Sequence, residues 1–508
     1  MKNWLTLIAF AIIVIATSCI GEKFEEISSE LSFVNIIDEQ KIWNTPVVEV
    51  RGWNSRTSSI QYYLNDELVA ESTSPPFSSE IRVRDFLDGN YELKAISFVD
   101  GVETATTNLR VQIENTLIKV QSNSPVDDFM FGKFQGVFVT DESNNVVSYM
   151  SISANDGSLM TMSRPEEFND SVFNVHEIQY GLEGEFWINS YQDVNSKVYI
   201  NWPKRHTFRY SVTSYPSGYG LIHADRIFTG SFGSTITISE NEKILVSLQS
   251  EEKGSAFYLI DSSVINEDIE ITENDLIYSK VMDLPLNTNY GFSDNNIRLT
   301  YSHESSSNYF SYEPQPMFHQ ELINNGSHLK LVTPNNISDY LLSSVHIQYE
   351  DQDKGFTYNY EGSPTTPALD HSVNDINMEI KNHQVSASID GEGDFQVISV
   401  SSLISTSKPV VNLKSRYWRC HSQITNKSHK FPTIPAEILE LSPSITADNL
   451  FNPKYEDEIT VNNFGPWVQV YDYEESRSFQ EYMKLYFGSE QTNLNDGWKK
   501  VLTKYFTN

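Results

Sequence analysis

The chain predicts an all-β protein, and three observations carry that expectation. Short apolar–polar alternations recur at intervals of about 8–12 residues, the strand spacing of antiparallel sandwiches. Turn-forming pairs such as Asn65-Asp66, Asp88-Gly89, Asp100-Gly101 and Asn144-Asn145 punctuate them. Helical spacing of apolar residues is scarce before Ser476. The expected architecture is an N-terminal β-sandwich, then several sandwich-type modules, then short helices at the C-terminus.

The first module is read over 38–115. Val47–Val50 and Ser59–Leu64 are strands, and the latter ends in the turn Asn65-Asp66. Glu67–Ala70, Glu80–Val83, Tyr91–Phe98 and Thr107–Ile113 follow, each closed by a turn signal. Alternation along these strands places Tyr62, Leu64, Tyr91, Leu93 and Val111 in the core. The segments "IQYYLNDELV", "SPPFSSEI", "DGNYELKAISFVDG" and "NLRVQIEN" resemble the bacterial immunoglobulin-like modules of surface lipoproteins. That resemblance implies an Ig-like β-sandwich acting as a spacer or docking domain, and it transfers no catalytic residue.

The rest also reads as β. Gln135–Thr140, Val146–Met150, Phe173–Ile178 and Phe186–Tyr191 alternate, and Thr235–Ile238, Lys243–Leu248, Ser255–Ile260 and Leu329–Val332 read as later strands. Domain boundaries are expected to give a β-sandwich module at 116–215, a β-rich region of one or two modules at 216–395, and a C-terminal β-rich module at 396–508. Two helices are expected inside the last, Ser476–Phe487 and Asn495–Phe506. In the second, Trp498, Val501, Leu502, Tyr505 and Phe506 recur at helical spacing opposite three lysines.

The N-terminus gives the address. Lys2 precedes an apolar run from Trp4 to Ala16, too short to span a bilayer, for which about 20 residues are needed. It reads as a signal peptide over 1–18. Ala16-Thr17-Ser18-Cys19 resembles the lipobox of bacterial lipoproteins, although Ala16 stands where leucine is usual. The resemblance implies that Cys19 is acylated, as by palmitate, and holds the chain to the lipid bilayer through a tether over 19–37. Two or more acyl chains make such an anchor stable. Glu22-Lys23-Phe24-Glu25-Glu26 resembles the export signal that carries Bacteroidota lipoproteins to the outer face of the outer membrane. The expected location is therefore the outer membrane, facing the cell exterior.

Composition narrows the partners. The chain of 508 residues carries 36 basic and 68 acidic residues, a net charge of −32. Phosphate backbones repel such a chain, so no nucleic acid is expected as a partner. Cys19 and Cys420 are the two cysteines. With Cys19 acylated, no internal disulfide forms, and Cys420 beside Trp418 reads as a small core residue.

Catalytic motifs miss. His176-Glu177 opens like H-E-x-x-H, but Tyr180 stands at the second histidine and the segment is a strand. The serine-hydrolase elbow and phosphate-binding glycine loops are absent, and no catalytic residue is assigned. Asp390-Gly391-Glu392-Gly393-Asp394 sets three carboxylates at alternate positions. A calcium ion takes oxygen ligands in that style, while the plainer reading is a solvated hairpin turn. Calcium is the one cofactor considered.

Two aromatic clusters are candidate ligand-binding surfaces: Tyr309, Phe310 and Tyr312 in a proline-bearing segment, and Trp467, Tyr471 and Tyr473 on one strand face. Exposed rings stack on sugar faces, although core packing is where aromatic rings usually go. The expected function is a non-enzymatic, membrane-anchored surface lipoprotein presenting β-modules for glycan or protein binding, or for adhesion. The layout also resembles the accessory glycan-capture lipoproteins of Bacteroidota polysaccharide-uptake systems. A surface glycan hydrolase is the alternative.

Overall fold

The computed structural model describes residues 30–122, 134–152, 158–181, 185–202, 207–223, 227–230, 233–239, 243–250, 252–261, 269–285, 298–303, 328–334, 342–351, 355–362, 373–406, 412–451, 459–473, 478–481, 483 and 499–506. They are mostly strands. Among them no helix is long and apolar enough to cross a membrane. The chain divides into two compact units, 1–116 and 117–508.

The first unit is built on a five-stranded sheet, ordered Gln40–Ile42, Val102–Ile113, Gly89–Val99, Ser59–Leu64 and Glu67–Ser72. Small pairs, Val47–Val48 with Ser79–Glu80 and Ser32–Phe33 with Val50–Arg51, complete it. Ser59–Leu64 buries every second residue, so Ile60, Tyr62 and Leu64 join Leu93, Ala95, Val111 and Ile113 in one core. Asn65 and Asp66 both take positive φ, as the tightest hairpin turns need, and Asp100-Gly101 repeats the device. The Tyr62 hydroxyl donates to the carbonyl of Phe77, whose ring meets Trp53 edge-on at 5.1 Å. Tyr91 differs from expectation. It lies partly buried at the core margin, its hydroxyl donating to Leu87 O and its ring edge-on to Phe86.

The second unit centres on an eleven-stranded sheet. Its order is Val146–Ile152, Phe134–Thr140, Phe173–Tyr180, Phe186–Val194, Asn412–Gln423, Phe395–Thr406, Ile459–Tyr473, Lys499–Tyr505, Phe356–Gly362, Leu342–Asp351 and Arg298–His303. Phe186–Val194 runs parallel to Asn412–Gln423, more than 200 residues later in the chain. The sheet thus takes strands from all three stretches that the sequence divides at 215 and 395. Residues 207–285, with His328–Pro334, build two further sheets of four and five strands.

Both faces of the large sheet carry a core. On one, Phe138, Ile188, Ile398, Trp418, Val468 and Leu502 pack against a three-stranded sheet (Asp375–Lys381, Gln384–Asp390, Ser428–Lys430) and the short helices Ala436–Leu441 and Ala447–Phe451. On the other, Val137, Val139, Val175 and Tyr191 meet Ile118 and Val120 of Thr116–Ser122 and Val198 and Ile200 of Val198–Trp202, a parallel pair. A fully buried side chain of this size stabilises by roughly 1.5–3 kcal/mol, so alternation alone commits each strand to its register.

The C-terminus corrects the sequence reading. Residues 479–481 and 483 are helical, within the first expected helix. The second, Asn495–Phe506, is instead the strand Lys499–Tyr505. It lies inside the sheet between Ile459–Tyr473 and Phe356–Gly362, and Leu502 and Thr503 are both buried on opposite sides. A short apolar run fits either period. Here the two neighbouring backbones, which need a strand between them, override local spacing.

Candidate functional site

Strand alternation sends neighbouring residues of the large sheet to opposite faces. Trp418 is fully buried on the inner face, so Tyr417 and Arg419 point to the other. Cross-strand register then assembles a row on that outer face: Tyr505, Trp467, Ser399, Arg419, Asn189 and Glu177 are successive partners. The adjoining row runs Ser401, Tyr417, Trp187, Gln179 and Gln135. The second core covers the far end of this face, around Val137 and Val175. Toward the near end Trp187 is 37% and Tyr505 61% exposed, while Trp467 between them is partly buried and packs against the second core. From the strand of Trp187 to that of Tyr505 is four inter-strand steps, about 19 Å.

Two of the rings, Tyr417 and Trp467, share one cation. The Arg419 guanidinium carbon lies 5.3 Å from the Tyr417 ring centre and 5.4 Å from that of Trp467. Its Nε donates to the Tyr417 hydroxyl at 2.8 Å. The Trp187 ring meets Tyr417 at 6.0 Å, tilted by 53°. Cation–π contacts of this kind hold both partners in place. Ser399, between Arg419 and Trp467 in the row, is buried with its hydroxyl unpartnered. Gln135 Nε2, at the covered end, is in the same condition.

Glu177 closes the row under the edge of the second core, 6% exposed. Burial pushes its carboxyl up to about 7, against the pull of hydrogen bonds from Asn189 and Tyr191. It is the one acidic side chain among the row positions above. His421, on the same face, stacks on Tyr191 at 4.7 Å and is held well below the usual histidine range by burial, helped by the positive charge of Arg419.

The inner face holds a closed polar network instead. His176 Nε2 meets Thr140 Oγ1 at 3.0 Å, its Nδ1 meets Ser190 Oγ at 2.8 Å, and Trp418 Nε1 donates to the same Ser190 oxygen. Phe138 stacks on the imidazole, and burial holds His176 down to about 3. A serine–histidine pair this buried reaches no substrate; it satisfies polar groups in a core. Cys420 is likewise internal. Its imidazole neighbour is His429, at 3.7 Å, while His421 faces away as alternation requires. Burial pushes the Cys420 thiol up and His429 down to about 4, the reverse of what activates a thiolate.

The residues singled out from sequence fall in several places. Trp467 belongs to the outer-face row. Tyr471, four residues on, stacks flat on buried Phe395 at 4.5 Å, and both it and Trp467 pack against the second core. Tyr473 ends its strand opposite Lys499. Tyr309, Phe310, Tyr312 and Cys19 lie outside the described residues. Asp390 ends the strand Gln384–Asp390 beside Asp375, Glu392 is exposed, and the Asp394 amide donates to Tyr471 O at 2.8 Å. Among the described residues no group of three acidic, histidine or cysteine side chains is arranged to hold a metal ion. A shallow hollow elsewhere is lined by Asp141, Glu142 and Asp170, but the Asp141 carboxylate is occupied by Asn145.

Sequence reading missed Trp187, Tyr417, Arg419 and Tyr505. The signal available was the adjacency of aromatic residues in strands, Tyr417-Trp418 and Phe186-Trp187: of two neighbours, one faces away from whichever core holds the other.

The chain matches no protein-family model and no curated protein. Among solved structures it is similar to fibronectin(III)-like modules of CbhA from Clostridium thermocellum, at 11% identity over 16% of this chain and 95% of that one, with a TM-score of 0.14. It is similar to the Bacillus anthracis TIE protein at 11% identity over 67% and 73%, with a TM-score of 0.15. It is also similar to a Bacteroides ovatus protein, SGBP-B of a mixed-linkage glucan utilization locus, solved with a mixed-linkage heptasaccharide, at 10% identity over 61% and 95%, with a TM-score of 0.14. At such scores these likenesses carry no argument about this chain.

Proposed function

We propose that the protein is a non-enzymatic surface lipoprotein, held to the outer membrane by acylated Cys19 and facing the cell exterior, whose second unit binds a glycan on the open outer face of its large sheet. The observation that carries this reading is the arginine-linked set of rings Trp187, Tyr417 and Trp467, with exposed Tyr505 beside it. Apolar rings held rigid beside hydrogen-bonding groups suit a sugar, which offers C–H faces and a rim of hydroxyls. Asn189 and Gln179 supply the polar side of such a surface.

Hydrolysis is the poorer reading. A glycosidase needs two carboxyl groups about 5–9.5 Å apart, and Glu177 stands without a second along these rows. The signal-like N-terminus supports the address, and the first unit, with no comparable ring set among its described residues, suits a spacer.

The test is a glycan array probed with the soluble fragment from Gly21 onward, wild type against the pair Trp187→Ala with Trp467→Ala. Binding to a subset of glycans, lost in the double variant while the melting temperature holds, is expected. Glycan binding that the double variant retains would place the site elsewhere. Fatty-acid labelling of the full chain, abolished by Cys19→Ala, checks the anchor.

A further inference from the structure

We propose a second sugar-binding position in the second unit, at one end of the five-stranded sheet that includes Lys243–Ser250, Gly254–Asp261 and Ile277–Pro285. It takes a neutral sugar ring against Tyr219 and Tyr278, with Lys253 and Glu273 bonded to adjacent ring hydroxyls. This rests on the glycan-binding reading of the unit and adds a position on a different sheet from the outer-face rows.

The observation that carries it is a hydroxyl with nothing to bond. Tyr219 is 6% exposed, and its hydroxyl is buried without a hydrogen-bond partner among the described residues. Buried polar groups are nearly always paired, so an orphan calls for a partner that arrives from outside the chain. The orphan hydroxyls of Ser402 and Ser422 lie inside the large sheet, whereas that of Tyr219 lies under an exposed ion pair. Lys253 Nζ stands 5.6 Å from the centre of the Tyr219 ring and pairs with Glu273. Both charged side chains are about half exposed, and such a pair holds weakly because water competes for each partner. Moving it aside uncovers the hydroxyl at little cost. The groups that act electrostatically on this hydroxyl are Tyr278, Lys253 and Glu273, so all four side chains meet at one place.

Three of the four sit on turns that local sequence fixes. Gly218 takes a φ of 88°, closing the turn in which Tyr219 N donates to Pro216 O. Ser250 Oγ accepts from the amides of Glu252 and Lys253, and Gly254 takes a φ of 77° to complete that hairpin. Thr272 caps the turn Glu273–Asp275, its hydroxyl and amide both donating to the Asp275 carboxylate. Tyr278 lies opposite Ala256, on the strand beside that hairpin, and is 48% exposed.

The chemistry fits a neutral sugar. The exposed Tyr278 ring offers a face for C–H surface. Lys253 donates and Glu273 accepts, while a sugar hydroxyl does both. Adjacent hydroxyls of one sugar therefore replace the ion pair without leaving either charge unbonded, and the Tyr219 hydroxyl gains the partner it lacks. Glu252 and Asp275, exposed on the same turns, disfavour an anion here.

The experiment probes a glycan array with the soluble fragment from Gly21 onward, and follows the strongest neutral glycan by calorimetry. Proteins compared are the wild type, Tyr219→Phe, Tyr278→Ala and the Trp187→Ala, Trp467→Ala pair, each with its melting temperature. Tyr219→Phe and Tyr278→Ala should each weaken neutral glycans about tenfold, the effect of one lost hydrogen bond or stacked ring. Tyr219→Phe should do so while melting no lower than wild type, since it deletes an orphaned hydroxyl and keeps the ring. A purely structural tyrosine would leave binding unchanged. Binding that neither tyrosine variant weakens, and that the tryptophan pair abolishes, would overturn the second position and leave the outer face standing. Binding that the tyrosine variants abolish and the tryptophan pair retains would support this position and overturn the outer face. Losses confined to acidic glycans would overturn the neutral-sugar assignment. No glycan bound by the wild type would overturn both readings.

Discussion

The two faces of the large sheet are made by the same strands and do different work. On the inner face Trp418 is fully buried, its indole N–H given to Ser190, and His176 is satisfied on both nitrogens. One residue along, on the outer face, Arg419 and Tyr417 stand beside exposed Trp187. Residue type does not separate them, since tryptophan, tyrosine and histidine occur on both. What separates them is cover. The three-stranded sheet and two helices close the inner face along the strands of Trp418 and Ile398, whereas the second core covers the outer face only in part. Under the inner cover His176, Ser190 and Trp418 are matched to one another.

The largest expected contrast is between tryptophans. Trp418→Ala removes a buried ring and orphans the Ser190 contact, and should cost about 3–5 kcal/mol. A denaturant midpoint shift of only a small fraction of that would mean the inner face is not a closed core.

Next comes a difference of pH sign between sequence neighbours. Glu177 has its folded value raised from 4.5 to about 7. The folded state therefore holds a proton that the unfolded chain sheds. The resulting penalty is absent below 4.5, grows as pH rises to 7, and is constant above, where it reaches roughly 3 kcal/mol. Glu177→Gln should be more stable than wild type by up to that amount at pH 8 and equal to it at pH 4. His176 has the opposite sign: held at about 3 against an ordinary 6.5, it contributes stability above 6.5 that is lost as pH falls toward 3. The glutamine variant should keep that acid limb. Parallel stability curves for the two proteins across pH 4–8 would show that Glu177 is not buried as described.

Ser190→Ala tests the inner network alone. It leaves Trp418 Nε1 and His176 Nδ1 without their shared oxygen, at about 1–3 kcal/mol. Thermal unfolding indistinguishable from wild type would show that the network stabilises nothing.

The smallest effect belongs to the outer face. Trp187→Ala, on an exposed ring, should change stability by under about 0.5 kcal/mol while weakening glycan binding. A large loss of stability would return Trp187 to the core and sharpen the boundary of the cover.

Much of the fold was legible because period-two alternation is a local property. Ser59–Leu64, Phe134–Thr140 and Phe186–Val194 stand within a residue or a few of where alternation places them. Lys499–Tyr505 was read as a helix because its apolar spacing fits both periods, and only its two flanking strands decide between them. The site was half legible. Trp467, Tyr471 and Tyr473 read from sequence as one strand face; the structure keeps Trp467 and Tyr471 on that face against the second core, with Arg419 meeting the first and Phe395 the second. Nothing near residue 467 announces which ring a residue 48 positions earlier will touch.

By itself the sequence determined the all-β class, the burial of Tyr62, Leu64, Leu93 and Val111 in the first unit, the burial of Cys420, and the excess of negative charge. Each follows from composition or from spacing within a few residues. The tertiary structure alone decided that strands from 134–194, 298–362 and 395–505 share one sheet, and which of its faces is covered. That decision lies outside local pattern because sheet pairing joins backbones through hydrogen bonds every residue can make. Alternation says that Tyr417 and Trp418 part company; only the packed partner says which of them meets water.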